Sequence, residues 1–335
     1  MFTPKFTLTS KLLTNLTEIE RFYGQLEGIR IPKQLELNLE RTNLIESSYA
    51  SNSIEGNPLT VGEVANLLLN DRIPTNRSEK EVVNYFSILK KLENERNDPL
   101  NLSLILKLHK QLLEGVNDEI KGQIRNVPII VGRRQPDQIF IKHNPPYHDR
   151  ERIETALNEL TEWLEKIDTS PILKAGIFHH QFVYLHPFED GNGRVCRLLT
   201  ALILLSSNYK INKYFVLDDY YDVDRSLYSD SLHSADLGDK TNWLEYFTDG
   251  VKYSLQSALG SIKEGITKLS LDVRPSPREQ QALEIARQYK ELTSSDLVKE
   301  LNITRQQAFN LLKSLTEKGF LEKMGTTKNS YYILK

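Results

Sequence analysis

The sequence predicts a mainly α-helical protein with one short β-hairpin and a separate, small C-terminal unit. Three observations lead there. Apolar residues recur at helical spacing through most of the chain before residue 264. A single pair of β-rich runs interrupts that pattern at Val127–Val131 and Gln138–Lys142. The stretch Arg274-Pro275-Ser276-Pro277-Arg278 then reads as a linker, and the residues beyond it have their own pattern of helices, turn and short strands.

In chain order, helix-like periodicity covers Leu12–Leu26, Pro32–Glu55, Val61–Asn70, Ser78–Asn94 and Leu102–Glu114. It resumes at Asp149–Lys166, Ile172–Leu185, Arg194–Ser206 and Asn242–Lys263. Gly56-Asn57-Pro58 ends the second of these helices, and Pro187 predicts a break after His186. The two β-rich runs are joined by Gly132–Asp137, and Pro145-Pro146 closes the segment. Beyond the linker, Thr293-Ser294 caps a helix ending near Leu301, Asn302-Ile303 makes a turn, and Thr304 opens a helix through Lys318. Gly319 stops it, and Phe320–Lys323 and Tyr331–Leu334 flank Gly325–Asn329 as two short strands.

The densest chemistry lies at His186–Arg197, HPFEDGNGRVCR. Gly191-Asn192-Gly193 frees the backbone to turn successive N–H groups toward an anion, where the next helix begins. That helix start carries partial positive charge, so Arg194 and Arg197 in its first turns are misplaced unless an anion lies before them. Their i, i+3 spacing puts both guanidiniums on roughly one face, which suits a polyphosphate. Asp190 offers a hard oxygen to Mg2+, and His186 can take a proton from an attacking hydroxyl. Each residue alone has an ordinary structural explanation. Their joint order points to phosphoryl transfer.

This string resembles the Fic family signature: His-Pro-Phe, any residue, an acid, Gly-Asn-Gly-Arg, two residues and a second Arg. His179, Phe182 and Leu108–Leu113 extend the resemblance, which runs from about residue 5 to about residue 255. It implies a Fic-type helical bundle with a β-hairpin flap, and transfer of AMP from ATP to a hydroxyl side chain of a target protein. By the same resemblance His186 is the base and Asp190 holds Mg2+. Gly191, Asn192 and Gly193 cradle the phosphates through backbone N–H groups and the Asn192 amide. Arg194 stabilises charge, Arg197 holds the γ-phosphate, and Phe188 plugs the loop into the core. The hairpin is similar to the flap that clamps a target peptide by strand addition. Tyr228, in Asp224–Tyr228, matches the family residue lining the adenine pocket, although Asp224 stands where many relatives have Asn.

Upstream, Ser51 and Glu55 lie four apart on one helix face. Glu55 is an anion at the negative end of that helix, a position that asks for a cationic partner, and Arg197 is the candidate. The pattern is similar to the inhibitory motif of Fic proteins, Ser or Thr, three residues, Glu, then Gly or Asn. It implies autoinhibition in cis, with Glu55 competing with a γ-phosphate for Arg197.

The C-terminal unit resembles a winged helix-turn-helix, with Arg305, Gln306, Gln307 and Asn310 on its recognition helix. From Arg274 onward there are eleven basic and seven acidic residues, a net of +4 against −6 for the remainder. That asymmetry permits DNA binding through residues 275–335 without requiring it, and the same module elsewhere serves dimer or protein docking, so homodimer formation stays open. Three domains are expected: 1–98, N-terminal helical with the inhibitory motif; 99–268, the Fic core; and 275–335, the winged helix.

With 39% hydrophobic and 26% charged residues the composition is that of ordinary globular material. The single Cys196 excludes an intramolecular disulfide, and no Cys/His cluster has metal-ligand spacing, so no zinc is expected. Without a signal pattern or an apolar run that could span a bilayer, a cytoplasmic protein is expected. The reading that joins these features is an autoinhibited protein adenylyltransferase using Mg-ATP on a target not identified by sequence. Two alternatives remain: a DNA-binding regulator whose Fic core senses nucleotide, and a de-AMPylating enzyme in which Glu55 orients water.

Overall fold

A computed structural model of the chain describes residues 2–135, 138–273, 275–289, 291–325 and 330–334. The chain divides into two compact units, Met1–Ile262 and Lys263–Lys335.

The first unit opens with α1 (Ser10–Gly28), whose N-terminal Leu12 N–H is capped by the Thr9 hydroxyl. Then come α2 (Lys33–Ile54), α3 (Val61–Leu69, with a Thr60/Glu63 capping box), α4 (Arg77–Lys91, capped by Asn76) and α5 (Leu102–Leu113, capped by Asn101). The hairpin is β1 (Val131–Gln135) and β2 (Gln138–His143), paired antiparallel with a register shift between Val131 and Gly132. It is followed by α6 (Arg150–Lys166), α7 (Pro171–Leu185), α8 (Asn192–Ser206), α9 (Asp218–Val223), α10 (Arg225–His233) and the long α11 (Thr241–Val273).

Two departures from the sequence reading have physical causes. The first strand begins where it was expected to end, so Gly132-Arg133-Arg134-Gln135 is strand rather than loop. Pro128 has no N–H for a ladder, and the Val127 carbonyl is drawn inward to accept from Arg125 Nη1 at 2.9 Å, so pairing starts only beyond them. Pro136 and Asp137 of the expected loop lie outside the described residues. The short helices α9 and α10 carry too few turns for a periodic apolar stripe to stand out, although the Asp224 side chain caps α10 at the Leu227 N–H.

α7 and α8 form the centre of this unit and are buried on nearly every face, which is why they read as apolar all round. α2 reaches α8 through a row of small buried polar residues: Ser47, Ser48, Ser51, Asn52 and Ser53. Their small side chains allow close approach, and each makes a hydrogen bond, although Asn52 Oδ1 is buried without a partner among the described residues. Ser47 donates to Asp218, Ser48 to the Leu44 carbonyl, and Asn52 to the Ser48 carbonyl, while Ser53 accepts from Arg225.

The second unit holds α12 (Pro277–Gln288), α13 (Ser294–Leu301), α14 (Arg305–Glu317) and the antiparallel pair β3 (Leu321–Met324) and β4 (Tyr331–Leu334). Capping boxes at Ser276/Glu279, Thr293/Asp296 and Thr304/Gln307 start its three helices. Asn302 turns α13 into α14 with a left-handed backbone. A core of Ala282, Leu297, Ala308, Leu312, Leu315 and Leu321 is closed by Tyr332. Thr326–Asn329, expected between the two C-terminal strands, and Arg274 of the expected linker lie outside the described residues. Among the described residues, no helix is long and apolar enough to cross a membrane.

Candidate active site

The signature loop is shaped before any ligand is considered. α7 ends at His186, whose backbone is left-handed (φ 47°, ψ 61°), and Pro187 prevents the helix from continuing. Phe188 is fully buried and stacks on His109, ring centroids 3.7 Å apart and 6° from parallel. His109 also holds the loop: its Nδ1 accepts from the Gly122 N–H at 3.0 Å, so its Nε2 is the protonated nitrogen facing the Asp190 carbonyl at 3.1 Å. Burial keeps this ring neutral, its pKa lowered to about 4.

Asn192 contributes differently from expectation. Its side-chain oxygen accepts from the Phe188 N–H and its NH2 donates to the Phe188 carbonyl, at 2.9 and 2.8 Å. With its oxygen and one of its two amide N–H groups on Phe188, the side chain staples the loop. Gly191 supplies the left-handed turn (φ 81°) into α8, which has no side-chain N-cap bond. The first-turn N–H groups of α8 are therefore without a capping side chain, the condition for an anion site.

His186 is set up as a base. Its Nδ1 lies 3.2 Å from the Val183 carbonyl, which can only accept, so Nδ1 carries the proton and Nε2 bears the lone pair. Burial lowers its pKa to about 4, against the opposing pull of that carbonyl, and leaves the ring neutral at physiological pH. Asp190 accepts from the Gly191 N–H and from Arg194 Nη2 on Oδ1, at 2.6 and 3.1 Å, and from Arg77 Nη2 on Oδ2 at 3.2 Å.

Arg194 is buried (3% exposed) rather than facing open solvent, with Nη1 3.5 Å from Glu81 and Nη2 on Asp190. Its Nε is buried without a hydrogen-bond partner among the described residues.

Arg197, equally buried, is held by α2 through Nε and Nη2. Nε donates to Ser51 Oγ at 2.7 Å, and Nη2 donates to the Ser51 carbonyl and to Glu55 Oε1, both at 2.8 Å. Burial opposes its charge, yet Glu55 and the neighbouring Asp218 hold the guanidinium above its ordinary pKa. Asp218, 3.9 Å from Arg197 Nε, is pushed up to about 6 by burial despite that arginine. The Glu55 carboxylate lies so close over Gly193 that a Cβ there would come within 2.1 Å of Oε1. Thus Ser51, Glu55, Gly193 and Arg197, distant in sequence, meet at one end of α8, with the glutamate seated on its positive pole.

Arg125 has no counterpart in the sequence reading. Fully buried, it donates from Nε to the His186 carbonyl at 2.7 Å and from Nη2 to the Tyr147 and Leu185 carbonyls at 2.6 and 3.3 Å. Its own N–H donates to the Pro187 carbonyl at 3.0 Å. It thereby ties the end of α7 to the flap-side chain, and the only sequence signal is a lone Arg in a polar stretch. Tyr228 lies beneath the site rather than on its surface: its ring stacks on Tyr221 at 4.4 Å and its hydroxyl bonds His179 Nε2 at 2.8 Å. Buried and committed in this way, it does not present a face for a nucleotide base, contrary to the expectation.

The Fic/DOC family model matches residues 99–204, which contain α5, the flap, α6, α7, the loop and most of α8. The chain carries a Fic domain. Among curated proteins, it is 29% identical over 250 residues to protein adenylyltransferase fic-1 of Caenorhabditis elegans, covering 70% of this chain and 46% of that protein. It is 26% identical over 225 residues to protein adenylyltransferase Fic of Nematostella vectensis, covering 64% and 48%. The chain thus spans about half the length of the curated relatives it matches. The crystal structure of a Fic family protein from Desulfovibrio desulfuricans aligns over 100% of this chain and 98% of its own, with a TM-score of 0.68 and 26% identity. The Fic domain is therefore the setting of the His186 loop, and the likeness to that structure extends over the second unit as well.

Proposed function

We propose that this Fic domain transfers AMP from Mg-ATP to a hydroxyl side chain of a protein, and that Glu55 holds it in an inhibited state. The observation that carries the reading is the junction at the start of α8: a neutral histidine with a free Nε2, an acid, uncapped backbone N–H groups and two guanidiniums around one anion site. The adenylyltransferase names of the relatives support the same class of reaction. In the transfer, the target hydroxyl gives its proton to His186 Nε2 as its oxygen bonds the α-phosphorus. The bond from that phosphorus to the bridging oxygen breaks, and pyrophosphate leaves with the electron pair.

The residues fit a metal-bound triphosphate. Asp190 is a hard oxygen donor whose present partners are side-chain and backbone donors that a phosphate could take over, and the orphaned Arg194 Nε asks for an acceptor. Mg2+ bound there would neutralise charge on the phosphates of ATP. Arg194 then stabilises charge on the reacting phosphates, and the α8 N-terminus contributes its dipole. Arg197 is the guanidinium a γ-phosphate requires, and Glu55 occupies it.

The second unit reads as a winged helix. Arg305, Gln306 and Asn310 are exposed on α14, as a recognition face needs, whereas Gln307 is used in the Thr304 capping box and Phe309 is 50% exposed beside them. If that face reads DNA, duplex binding by the full chain falls steeply with salt through counterion release.

Incubating the chain with ATP labelled on the α-phosphate tests the enzyme reading. Label should appear on protein with Glu55→Gly and vanish in Glu55→Gly, His186→Ala. Label that persists in the double variant rejects His186 as the base.

A further inference from the structure

Outside the signature loop, three histidines converge on one carboxylate. On its Oδ2, Asp236 meets His143 Nδ1 at 2.7 Å and His233 Nδ1 at 3.0 Å, and on its Oδ1 it meets His180 Nε2 at 3.0 Å. His143 is the last residue of β2, His233 the last of α10, and His180 lies in α7. Asp236 sits in a 3-10 turn, Ser234–Leu237. We propose that His143 Nδ1, His233 Nδ1 and Asp236 Oδ2 form a binding site for a zinc-class divalent transition metal that pins the base of the flap to the α10 end.

The tautomers lead to this assignment. His143 Nε2 lies 2.8 Å from the Tyr184 carbonyl, which can only accept, so that nitrogen carries a proton. In the neutral ring the Nδ1 lone pair therefore points at a carboxylate oxygen, lone pair against lone pair. Either a second proton or a cation must lie between them. The same oxygen also faces His233 Nδ1, and the three candidate ligand atoms lie within 4.8 Å of one another. A zinc ion takes imidazole nitrogen at about 2.0–2.1 Å and carboxylate oxygen at about 2.0–2.2 Å, so binding would open the two N···O separations to about 3.3 Å and turn the His143 and His233 rings, now 20° from parallel, toward the ion.

The surroundings are those of a metal site rather than of an isolated ion pair. A ligating histidine ordinarily donates its other N–H to a carbonyl, as His143 does to Tyr184, and a ligating carboxylate is itself hydrogen-bonded. Here His180 performs the second task. Lys240 Nζ lies 2.6 Å from His180 Nδ1 and donates to it, so His180 Nε2 carries the proton that holds Asp236 Oδ1. The free oxygen of Asp236 is thus oriented by a Lys240–His180 relay. Three protein ligands leave a fourth position for water, and His233 is the half-open side of the site. The ligands come from positions 143, 233 and 236, so no sequence spacing announces them.

The site would close a loop of some ninety residues between flap and α10, with the His143 ring centroid 6.4 Å from that of His186. Its effect would be to fix the flap's anchored end next to the base. The test is a titration of the chelator-treated full chain with Zn2+ and, separately, Co2+. About one equivalent of either metal should bind, with a visible ligand-field spectrum for Co2+ and a rise in melting temperature of several degrees with Zn2+. His233→Gln should lose both effects, and His148→Gln, at an exposed histidine elsewhere, should keep them. X-ray absorption at the zinc edge of the wild-type complex should show two imidazole ligands, a readout that survives if His233→Gln fails to fold. Absence of tight binding, binding unchanged in His233→Gln, or a zinc shell without two imidazoles would overturn the proposal.

Discussion

The two arginines at the start of α8 belong to one helix and one signature, yet their surroundings differ. On the side facing α2, Arg197 donates through Nε and Nη2 to Ser51 Oγ, the Ser51 carbonyl and Glu55 within 2.8 Å. On the side facing α4, Arg194 makes looser contacts, 3.1 Å to Asp190 and 3.5 Å to Glu81, and leaves a buried Nε unpaired. A buried guanidinium without partners is costly, so Arg197 is stable as it stands whereas Arg194 gains by meeting an anion. Under the proposed inhibition, the Arg197 side is locked and the Arg194 side is poised. α2 supplies the lock, and the loop with α4 supplies a site that a phosphate can complete.

The largest effect is expected from removing His186, the proposed base that both sides serve. In a Glu55→Gly background, His186→Ala should lower AMP transfer by about 10²–10⁴ while ATP binding, followed by calorimetry, stays near that of the parent. Loss of ATP binding would assign His186 to the nucleotide instead.

Next in size is the poised side. Arg194→Ala in the same background should lower transfer by about 10²–10³, as removal of one preorganised donor to developing charge does. A variant that folds, by its melting curve, and transfers at the parental rate would remove Arg194 from the chemistry.

Weakening the lock sharpens the contrast more gently. Ser51→Ala deletes one of three hydrogen bonds to Arg197 and leaves Glu55 in place, so basal self-modification should rise by about tenfold at most. A rise equal to that of Glu55→Gly would shift the lock from the glutamate to the serine.

The smallest expected effect is that of pH on stability. His186 has its folded pKa lowered to about 4 and His179 well below its ordinary 6.5, both chiefly by burial. Through these two rings the unfolded chain binds more protons than the folded one between pH 4 and 6.5, while Asp218, raised to about 6, acts in the opposite sense below pH 6. The contribution of the rings is full above pH 6.5 and is lost as pH falls toward 4. Melting temperature should drop between pH 7.5 and 5, and an unchanged value would mean these rings are charged in the fold.

Much of this arrangement is legible in the sequence because it rests on local signals. The signature loop is contiguous, the α2 end carries Gly56-Asn57-Pro58, and the helix starts of the second unit have capping residues at the expected places. The illegible part depends on contacts between distant segments. Arg125 acts through carbonyls of residues 127, 147, 185 and 186, which no spacing reveals. The late start of the first strand, at Val131 rather than Val127, follows from that same arginine together with Pro128. Asn192 and Tyr228 depart from their expected roles because a polar side chain in a binding motif can be consumed by its own loop or core. The cluster at Asp236 draws its histidines from three separate elements.

The most direct test of the account is self-modification with labelled ATP by three proteins: wild type, Glu55→Gly, and Glu55→Gly, Arg197→Ala. Freed of the glutamate, Arg197 should be available to a γ-phosphate, so the single variant should label strongly where wild type labels weakly. The double variant should fall back toward the wild-type level, provided it remains folded by circular dichroism. Equal labelling of wild type and Glu55→Gly would contradict the lock, and strong labelling by the folded double variant would show that Arg197 is not what the lock controls.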